Sequence, residues 1–187
     1  MGHGSSVDLR PEDLVKLKDQ TYFQQNEIQT LYDKFISEFP SGIITKEEFI
    51  EMYQDMFPES DASPFAEKVF RAYDTDGNGV INFREFLCAL SVTTRGSAEE
   101  KLGWSFNLYD ADGDGYISRK EATDILAAIF RLQGKADIPG KAEEEALNLF
   151  SSIDKNKDDR LSLKEFVCGA KTSDAIAQFL RIATEGE

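Results

Sequence analysis

The sequence has very little of the side-chain chemistry that catalysis usually needs. It contains one histidine, His3, and two cysteines, Cys88 and Cys168, among 187 residues. His3 has no histidine or cysteine close to it in the sequence, which favours a solvated tail residue over a ligand or a base. No nucleophile paired with a base, no phosphate-binding glycine loop and no histidine pair can be found. An enzyme is therefore not the predicted function.

The two cysteines are too few for a disulfide framework. Each cysteine lies three residues after the Glu that ends an acidic segment. Cys88 and Cys168 therefore occupy equivalent places in two repeats. We expect both to be reduced and packed on helices, since a disulfide or a zinc pair would need more than this spacing.

Positive charge and long apolar runs are also scarce. Lys and Arg number 21 against 35 Asp and Glu, which gives a net charge of −14. Because phosphate binding needs clustered cations, this balance argues against nucleic acid as a partner. No run of 18 apolar residues and no signal-peptide core is found, so we expect a soluble cytoplasmic protein. The length allows one globular unit or two small lobes.

The negative charge follows a twelve-residue pattern that is clearest at 110–121. Calcium takes six to eight oxygen ligands, so a loop that binds it wraps the ion and closes with a bidentate Glu at position 12. Gly115 permits the sharp turn at position 6, and Tyr116 offers only its backbone oxygen. An acidic turn that binds nothing is the alternative, and the complete spacing makes it the weaker one. The ligand positions 1, 3, 5, 7, 9 and 12 are occupied by Asp110, Asp112, Asp114, Tyr116, Ser118 and Glu121.

The same pattern occurs three more times, twice with a complete set of ligands. At 74–85 the ligand positions are occupied by Asp74, Asp76, Asn78, Val80, Asn82 and Glu85. At 154–165 they are occupied by Asp154, Asn156, Asp158, Arg160, Ser162 and Glu165. The match at 37–48 keeps Gly42 and Glu48 but has no carboxylate at positions 1, 3 and 5. The sequence therefore predicts three Ca²⁺ sites, at which Mg²⁺ is expected to compete, and one loop that binds no ion.

Apolar residues repeat with helical spacing on both sides of every loop, which predicts an entering and an exiting helix around each. The predicted fold is all-α, with four such hands in two paired lobes, the first hand being degenerate. The residues at loop position 8 are expected to pair as minimal strands, Ile44 with Ile81 and Ile117 with Leu161. The predicted divisions are an N-terminal segment with a short helix at 1–22, the first pair at 23–94, and the second pair with a terminal helix at 95–187.

Each loop end is also a predicted helix start. An N-cap oxygen is followed three residues later by the Glu of position 12, as in a capping box. The residue that binds the ion thus lies in the first turn of the exiting helix, and its movement would move that helix. The four pairs are Thr45 with Glu48, Asn82 with Glu85, Ser118 with Glu121, and Ser162 with Glu165.

The N-terminus matches the pattern for N-myristoylation, since Gly2 follows the initiator Met and Ser6 lies four residues later. An unmodified flexible start is the alternative reading of so short a motif.

Four stretches of the sequence are distinctive, namely Pro40-Ser41-Gly42, Phe86–Gly96, Lys101–Asp110 and Leu161–Phe166. Through these stretches the chain resembles the neuronal calcium sensor family. The resemblance implies an N-myristoylated calcium sensor with four EF-hands, whose N-terminal lobe exposes a hydrophobic groove. Three departures are Phe39 where the family usually has Cys, His3 and Val7 where relatives often carry Lys, and Asp159 in place of the position-6 Gly.

Together these features predict an intracellular calcium sensor that regulates a target protein. Its partners would be an amphipathic helix of the target and a membrane surface reached through the acyl chain, so its location is cytoplasmic and peripheral to the membrane. A cytosolic calcium buffer is the alternative, since a buffer needs no lipid and opens little. The candidate groove residues, each of which could instead belong to a closed core, are Phe23, Tyr32, Phe35, Ile50, Tyr53, Phe57, Phe70, Phe86, Leu90 and Trp104.

Overall fold

A computed structural model describes residues 9–134 and 139–170 of the chain. Helices and four three-residue strands alternate in these ranges in the order of four helix–loop–helix hands. The elements are α1 (Pro11–Gln20), α2 (Gln25–Glu38), β1 (Ile43–Thr45), α3 (Lys46–Met56), α4 (Ser63–Tyr73), β2 (Val80–Asn82), α5 (Phe83–Arg95), α6 (Ala98–Tyr109), β3 (Tyr116–Ser118), α7 (Arg119–Leu132), α8 (Lys141–Ile153), β4 (Arg160–Ser162) and α9 (Leu163–Ala170).

The strands join the loops in two antiparallel pairs. β1 pairs with β2 so that Ile44 lies opposite Ile81, and β3 pairs with β4 so that Ile117 lies opposite Leu161. All four side chains are at most 1% exposed. The apolar residue at loop position 8 therefore faces inward and fixes the register, and the predicted all-α fold with minimal pairing between loops is confirmed.

The helices that leave the loops begin where the sequence predicts. Thr45, Asn82 and Ser118 each cap a helix and exchange two hydrogen bonds with the Glu three residues later. Ser162 and Glu165 make the same reciprocal bonds at the start of α9. Two further capping boxes, which the sequence reading missed, start α2 at Gln24 and α6 at Ser97.

Aromatic rings fill the spaces between the helices. Phe35 of α2 packs against Phe83 and Phe86 of α5, with ring centroids 5.3 and 5.4 Å away. In the second half, Phe166 of α9 packs edge-on against Phe106 and Tyr109 of α6. Each pair of hands is thus closed by rings from an entering and an exiting helix.

The two halves of the described chain are closely joined. α5 continues through Arg95, so that only Gly96 and Ser97 separate it from α6. α4 packs against both α6 and α7. The predicted lobe boundary between residues 94 and 95 remains a prediction. Gly2 and the predicted terminal helix from Ser173 to Ala183 lie outside the described residues.

Within the described ranges, no helix is both long and apolar enough to cross a membrane.

Candidate metal centres

The third loop brings three carboxylates to one point. Oxygen atoms of Asp110, Asp112 and Asp114 all lie within 4.8 Å of one another. Backbone amides of the loop hold them there, since Gly115 donates to Asp110 Oδ2 at 3.0 Å and Tyr116 donates to Asp114 Oδ1 at 2.9 Å. Three like charges at this distance repel one another, and a hard divalent cation among oxygen ligands removes the repulsion. The donor set therefore fits calcium.

The second loop has the same construction. Oxygen atoms of Asp74, Asp76 and Glu85 lie within 4.8 Å of one another. Gly79 donates its backbone N–H to Asp74 Oδ2 at 2.9 Å, and Val80 donates to Asn78 Oδ1 at 2.9 Å. Glu85 is only 6% exposed, so its charge lies at the base of the loop and not in solvent.

Position 12 links the start of each loop to the exiting helix. Glu121 accepts hydrogen bonds from the amides of Ala111 at 2.7 Å and Asp112 at 3.3 Å with one oxygen, and from Ser118 with the other. Partial burial raises the pKa of Glu121, but these hydrogen bonds outweigh it and hold the pKa below its ordinary value. Glu85 makes the equivalent bonds to Thr75, at 3.0 Å, and to Asn82, at 3.1 Å.

The fourth loop repeats the hydrogen bonds of the other two. Asp154 accepts from the amide of Asp159 at 3.1 Å, and Asp158 accepts from the amide of Arg160 at 2.9 Å. Hydrogen bonds from Ser162 hold the pKa of Glu165 below its ordinary value. In the part of the chain that is described, however, the carboxylates of this loop do not form a group as close as those of loops two and three.

Two residues of the fourth loop have a left-handed backbone without being glycine. Asp159 at position 6 has φ 62°, and Lys157 at position 4 has φ 60°. Gly113 and Gly115 fill the equivalent positions of the third loop, with φ 72° and 85°. The left-handed backbone at Lys157 was not predicted from the sequence, although glycine occupies position 4 in loops two and three and indicates that this position needs a positive φ. Each such residue costs about 1 kcal/mol.

Replacement of Asp159 by Gly is expected to tighten the fourth site by about tenfold or less. Glycine adopts this backbone conformation without strain, and about 1.4 kcal/mol corresponds to a factor of ten. Calorimetric titration with calcium in a chain that carries Glu85→Gln and Glu121→Gln would isolate the fourth site.

Asp159→Asn is the matched control, because asparagine tolerates the left-handed region as aspartate does but carries no charge. It is not expected to tighten the site. A fourth site that is equally tight in the Gly and Asn variants would show that charge, and not strain, governs its affinity.

Two arginines bridge the third and fourth loops. Arg119 of the third loop forms an ion pair with Asp159 of the fourth. Arg160 of the fourth donates to Asp114 Oδ2 of the third at 3.0 Å, and its guanidinium lies over the ring of Tyr116. The sequence predicted that Arg160 contributes only its backbone oxygen to a bound ion. Its side chain contacts a predicted ligand of the neighbouring loop, which follows from the antiparallel register and not from loop spacing.

The first loop has the shape of a hand without its ligands, as predicted. Gly42 has φ 78°, like the other position-6 glycines. Glu48 accepts from the amide and hydroxyl of Thr45, both at 2.8 Å. Positions 1, 3 and 5 carry Ser37, Phe39 and Ser41, and Phe39 is part of the core, so this loop offers no carboxylates to a cation there.

The candidate groove residues fall into two groups. Phe23, Phe35 and Phe70 are buried in the core at 3 to 6% exposure, so the closed-core alternative applies to them. The others are half-buried against the core. These are Tyr32, Ile50, Tyr53, Phe57, Phe86, Leu90 and Trp104.

Half-buried rings follow one another from α3 to α6, and we call this set, Tyr53, Phe57, Tyr73, Phe86 and Trp104, the aromatic cleft. The buried ring of Phe49 connects Tyr53 with Tyr73. Tyr73 lies at its centre, 6.5 Å from Phe86 and 6.0 Å from Trp104 between ring centroids. Burial raises the pKa of the Tyr73 hydroxyl to about 12. Trp104 Nε1 is buried and has no hydrogen-bond partner among the described residues. A buried donor without an acceptor is uncommon, because it costs about 1–3 kcal/mol.

The two cysteines differ in their surroundings. Cys88 of α5 is half-buried, and burial raises the pKa of its thiol. Cys168 of α9 is exposed, so the expectation that it packs against the protein is wrong. Both cysteines are free thiols in the structure.

Comparisons with known proteins agree with this geometry. The sequence matches the family model described as an EF-hand domain pair over residues 99–171, and that of the EF hand domain over residues 65–93. It is 44% identical over 183 residues to Neuronal calcium sensor 1 of Lymnaea stagnalis, with 96% of each chain covered. It is 43% identical to Neuronal calcium sensor 1 of Aplysia californica, with the same coverage.

Proposed function

Because this chain belongs to the neuronal calcium sensor family and carries the EF-hands of a calcium sensor, we propose that it regulates a target protein through its aromatic cleft. In this proposal the second, third and fourth loops bind Ca²⁺, with Mg²⁺ as a competitor, and the cleft then opens to an amphipathic helix of the target. The protein would associate with membranes from the cytoplasm through a myristoyl group on Gly2.

The position-12 carboxylates support the link between binding and shape. Glu85, Glu121 and Glu165 each lie in the first turn of an exiting helix and would supply both oxygens to the ion. A change in the position of any of them carries α5, α7 or α9 with it. Sensor hands use this movement to open a pair of helices.

The single observation that carries the proposal is the aromatic cleft. Phe23, Phe35 and Phe70 are buried in the core, whereas the rings of the cleft remain half-buried over four helices. The buried indole N–H of Trp104 has no acceptor among the described residues, and opening of the cleft would expose it to carbonyl and side-chain oxygens of a bound helix. A groove of aromatic side chains with few polar groups is the usual receptor for an amphipathic helix.

A calcium buffer is the competing function. A buffer would bind the same ions but expose little new apolar surface. Four of the five rings of the cleft lie in the half of the chain with only one complete loop, and calcium buffering does not require them there. The two functions therefore differ in a measurable way.

Calcium is expected to increase the fluorescence of a hydrophobic dye bound to the unacylated chain, because the cleft opens. The acylated chain is expected to sediment with vesicles in calcium and to remain in solution with chelator. With few cations near Gly2, association should depend only weakly on anionic lipid, because one myristoyl chain without a basic patch is a marginal anchor.

Gly2→Ala is the control for the lipid, since it removes the acylation site and leaves the loops intact. It is expected to abolish sedimentation while the dye response remains. Equal sedimentation of both chains with and without calcium, together with an unchanged dye signal, would favour the buffer.

A further inference from the structure

One arginine of α4 joins the helices that lead into the second and third loops. Arg71 lies in the last turn of α4, and its Nη2 donates a hydrogen bond to the backbone oxygen of Leu108 in α6 at 2.9 Å. Asp74 follows Arg71 by three residues, and Asp110 follows Leu108 by two. The bond therefore connects the two places at which these loops begin.

The acceptor is a carbonyl at the end of a helix. α6 ends at Tyr109, so the carbonyl of Leu108 is one of the last four, which have no partner within the helix. The Leu108 side chain is only 1% exposed, and a buried carbonyl without a donor costs free energy. Arg71 supplies both the donor and a positive charge at the negative end of the helix dipole.

Arg71 also lies in the field of two predicted ligands. Partial burial lowers the pKa of its guanidinium, and the negative charges of Glu121 and Asp110 oppose that shift. Arginine stays charged under these conditions. The third loop therefore attracts Arg71 as long as the charges of its carboxylates are not compensated.

The helix that carries Arg71 touches both helices of the third hand. α4 packs against α6, which enters the third loop, and against α7, which leaves it. α4 also enters the second loop. A change of angle in either hand consequently acts on the same helix, and Arg71 lies at the contact.

We propose that Arg71 is a positioning residue that couples the second calcium site to the third, an inference that rests on the proposed binding of calcium at both loops. Once Asp110 and Glu121 bind an ion, they attract Arg71 less strongly, and α4 is freer to move when the second loop binds. Filling the third site should therefore raise the affinity of the second by about fivefold or more, the lower end of common allosteric couplings.

The coupling can be measured by an NMR titration in which the amides of Gly79 and Gly115 report on the second and third loops. All chains carry Glu165→Gln, so that the fourth site does not contribute. With Arg71 present, Asp112→Ala, which removes a ligand of the third site but keeps Asp110 and Glu121, is expected to weaken the second site by about fivefold or more. In Arg71→Met, the same substitution should change it by less than about twofold.

Lys68→Met is the matched control. Lys68 lies one turn earlier on α4, is half-buried and is attracted by Asp124 of α7, but it has no hydrogen bond to Leu108 among the bonds described. The coupling should persist in this variant. Thermal unfolding in chelator checks that the variants fold, and Arg71→Gln, which also lacks the charge and should also lose the coupling, replaces Arg71→Met if that chain does not fold.

The proposal is overturned if the third-site substitution weakens the second site of Arg71→Met by the same factor as in the chain that keeps Arg71. It is also overturned if that weakening disappears in Lys68→Met. If the amides of Gly79 and Gly115 do not respond to calcium at all, the proposed function fails as well. A response at both amides without coupling overturns only the role of Arg71.

Discussion

Replacement of Glu121 by Gln is expected to weaken the tightest calcium site by roughly a hundredfold, which corresponds to about 2.7 kcal/mol. The third loop presents three aspartates and a glutamate, whereas an asparagine replaces one aspartate in each of loops two and four. More ligand charge gives tighter binding, so the highest-affinity phase of a calorimetric titration should belong to the third loop.

The size of the effect follows from the two tasks of the Glu121 carboxylate. It would supply two oxygens and one negative charge to the ion, and glutamine supplies at most one neutral oxygen. It also joins the start of the loop to α7 through Ala111 and Ser118. Glutamine cannot accept at both of its terminal atoms, so the loop loses this closure as well.

Glu48→Gln is the matched control for this measurement. Glu48 occupies position 12 of the first loop and makes the same capping contact to Thr45, but positions 1, 3 and 5 of that loop carry no carboxylate. The control should leave three calcium ions per chain and the highest-affinity phase unchanged. A fourth calcium ion in the parent chain, or loss of a phase in Glu48→Gln, would contradict the assignment of the first loop.

Local spacing made much of this fold predictable from the sequence. The alternation within each loop places Ile44, Ile81, Ile117 and Leu161 inward, and the same spacing gives the capping boxes at the four exiting helices. These features depend on residues fewer than twelve positions apart, where backbone geometry leaves few choices.

Apart from the two strand pairs, contacts between residues far apart in the sequence were not predictable in the same way. The contact of Arg71 with Leu108 and that of Arg160 with Asp114 join residues 37 and 46 positions apart. They depend on how the hands pack and on the register of β3 with β4. An arginine in a sequence has many possible acceptors, and only the packing of the helices and loops selects one.

The aromatic residues show the same limit. Helical spacing identified them as one inward-facing set, but it could not divide them into core and cleft. Phe35 and Phe86 both lie on helices that enter or leave a loop, yet one is buried and the other half-buried. That division depends on how the helices pack against one another. Phe35 lies among the rings of Phe39, Phe83 and Phe86.

The largest expected loss of stability comes from truncation of Phe166. This side chain is fully buried, and its ring lies 5.8 Å from Phe106 and 5.6 Å from Tyr109 between centroids. Phe166→Ala leaves a cavity between α9 and α6 and should lower the free energy of unfolding by about 3–5 kcal/mol. Urea denaturation in chelator, followed by circular dichroism, measures this loss.

Leu163→Ala, on the same helix, is the matched control. Leu163 is 46% exposed, so its truncation should change the free energy of unfolding by about 0.5 kcal/mol or less. Excess calcium should restore much of the stability of Phe166→Ala, because a ligand at a thousand times its dissociation constant stabilises the folded state by about 4.1 kcal/mol. Equal urea midpoints for the two variants in chelator would mean that Phe166 does not hold α9 against α6. A Phe166→Ala chain that calcium fails to restore would mean that the cavity also distorts the fourth loop, since Glu165 immediately precedes Phe166 in α9.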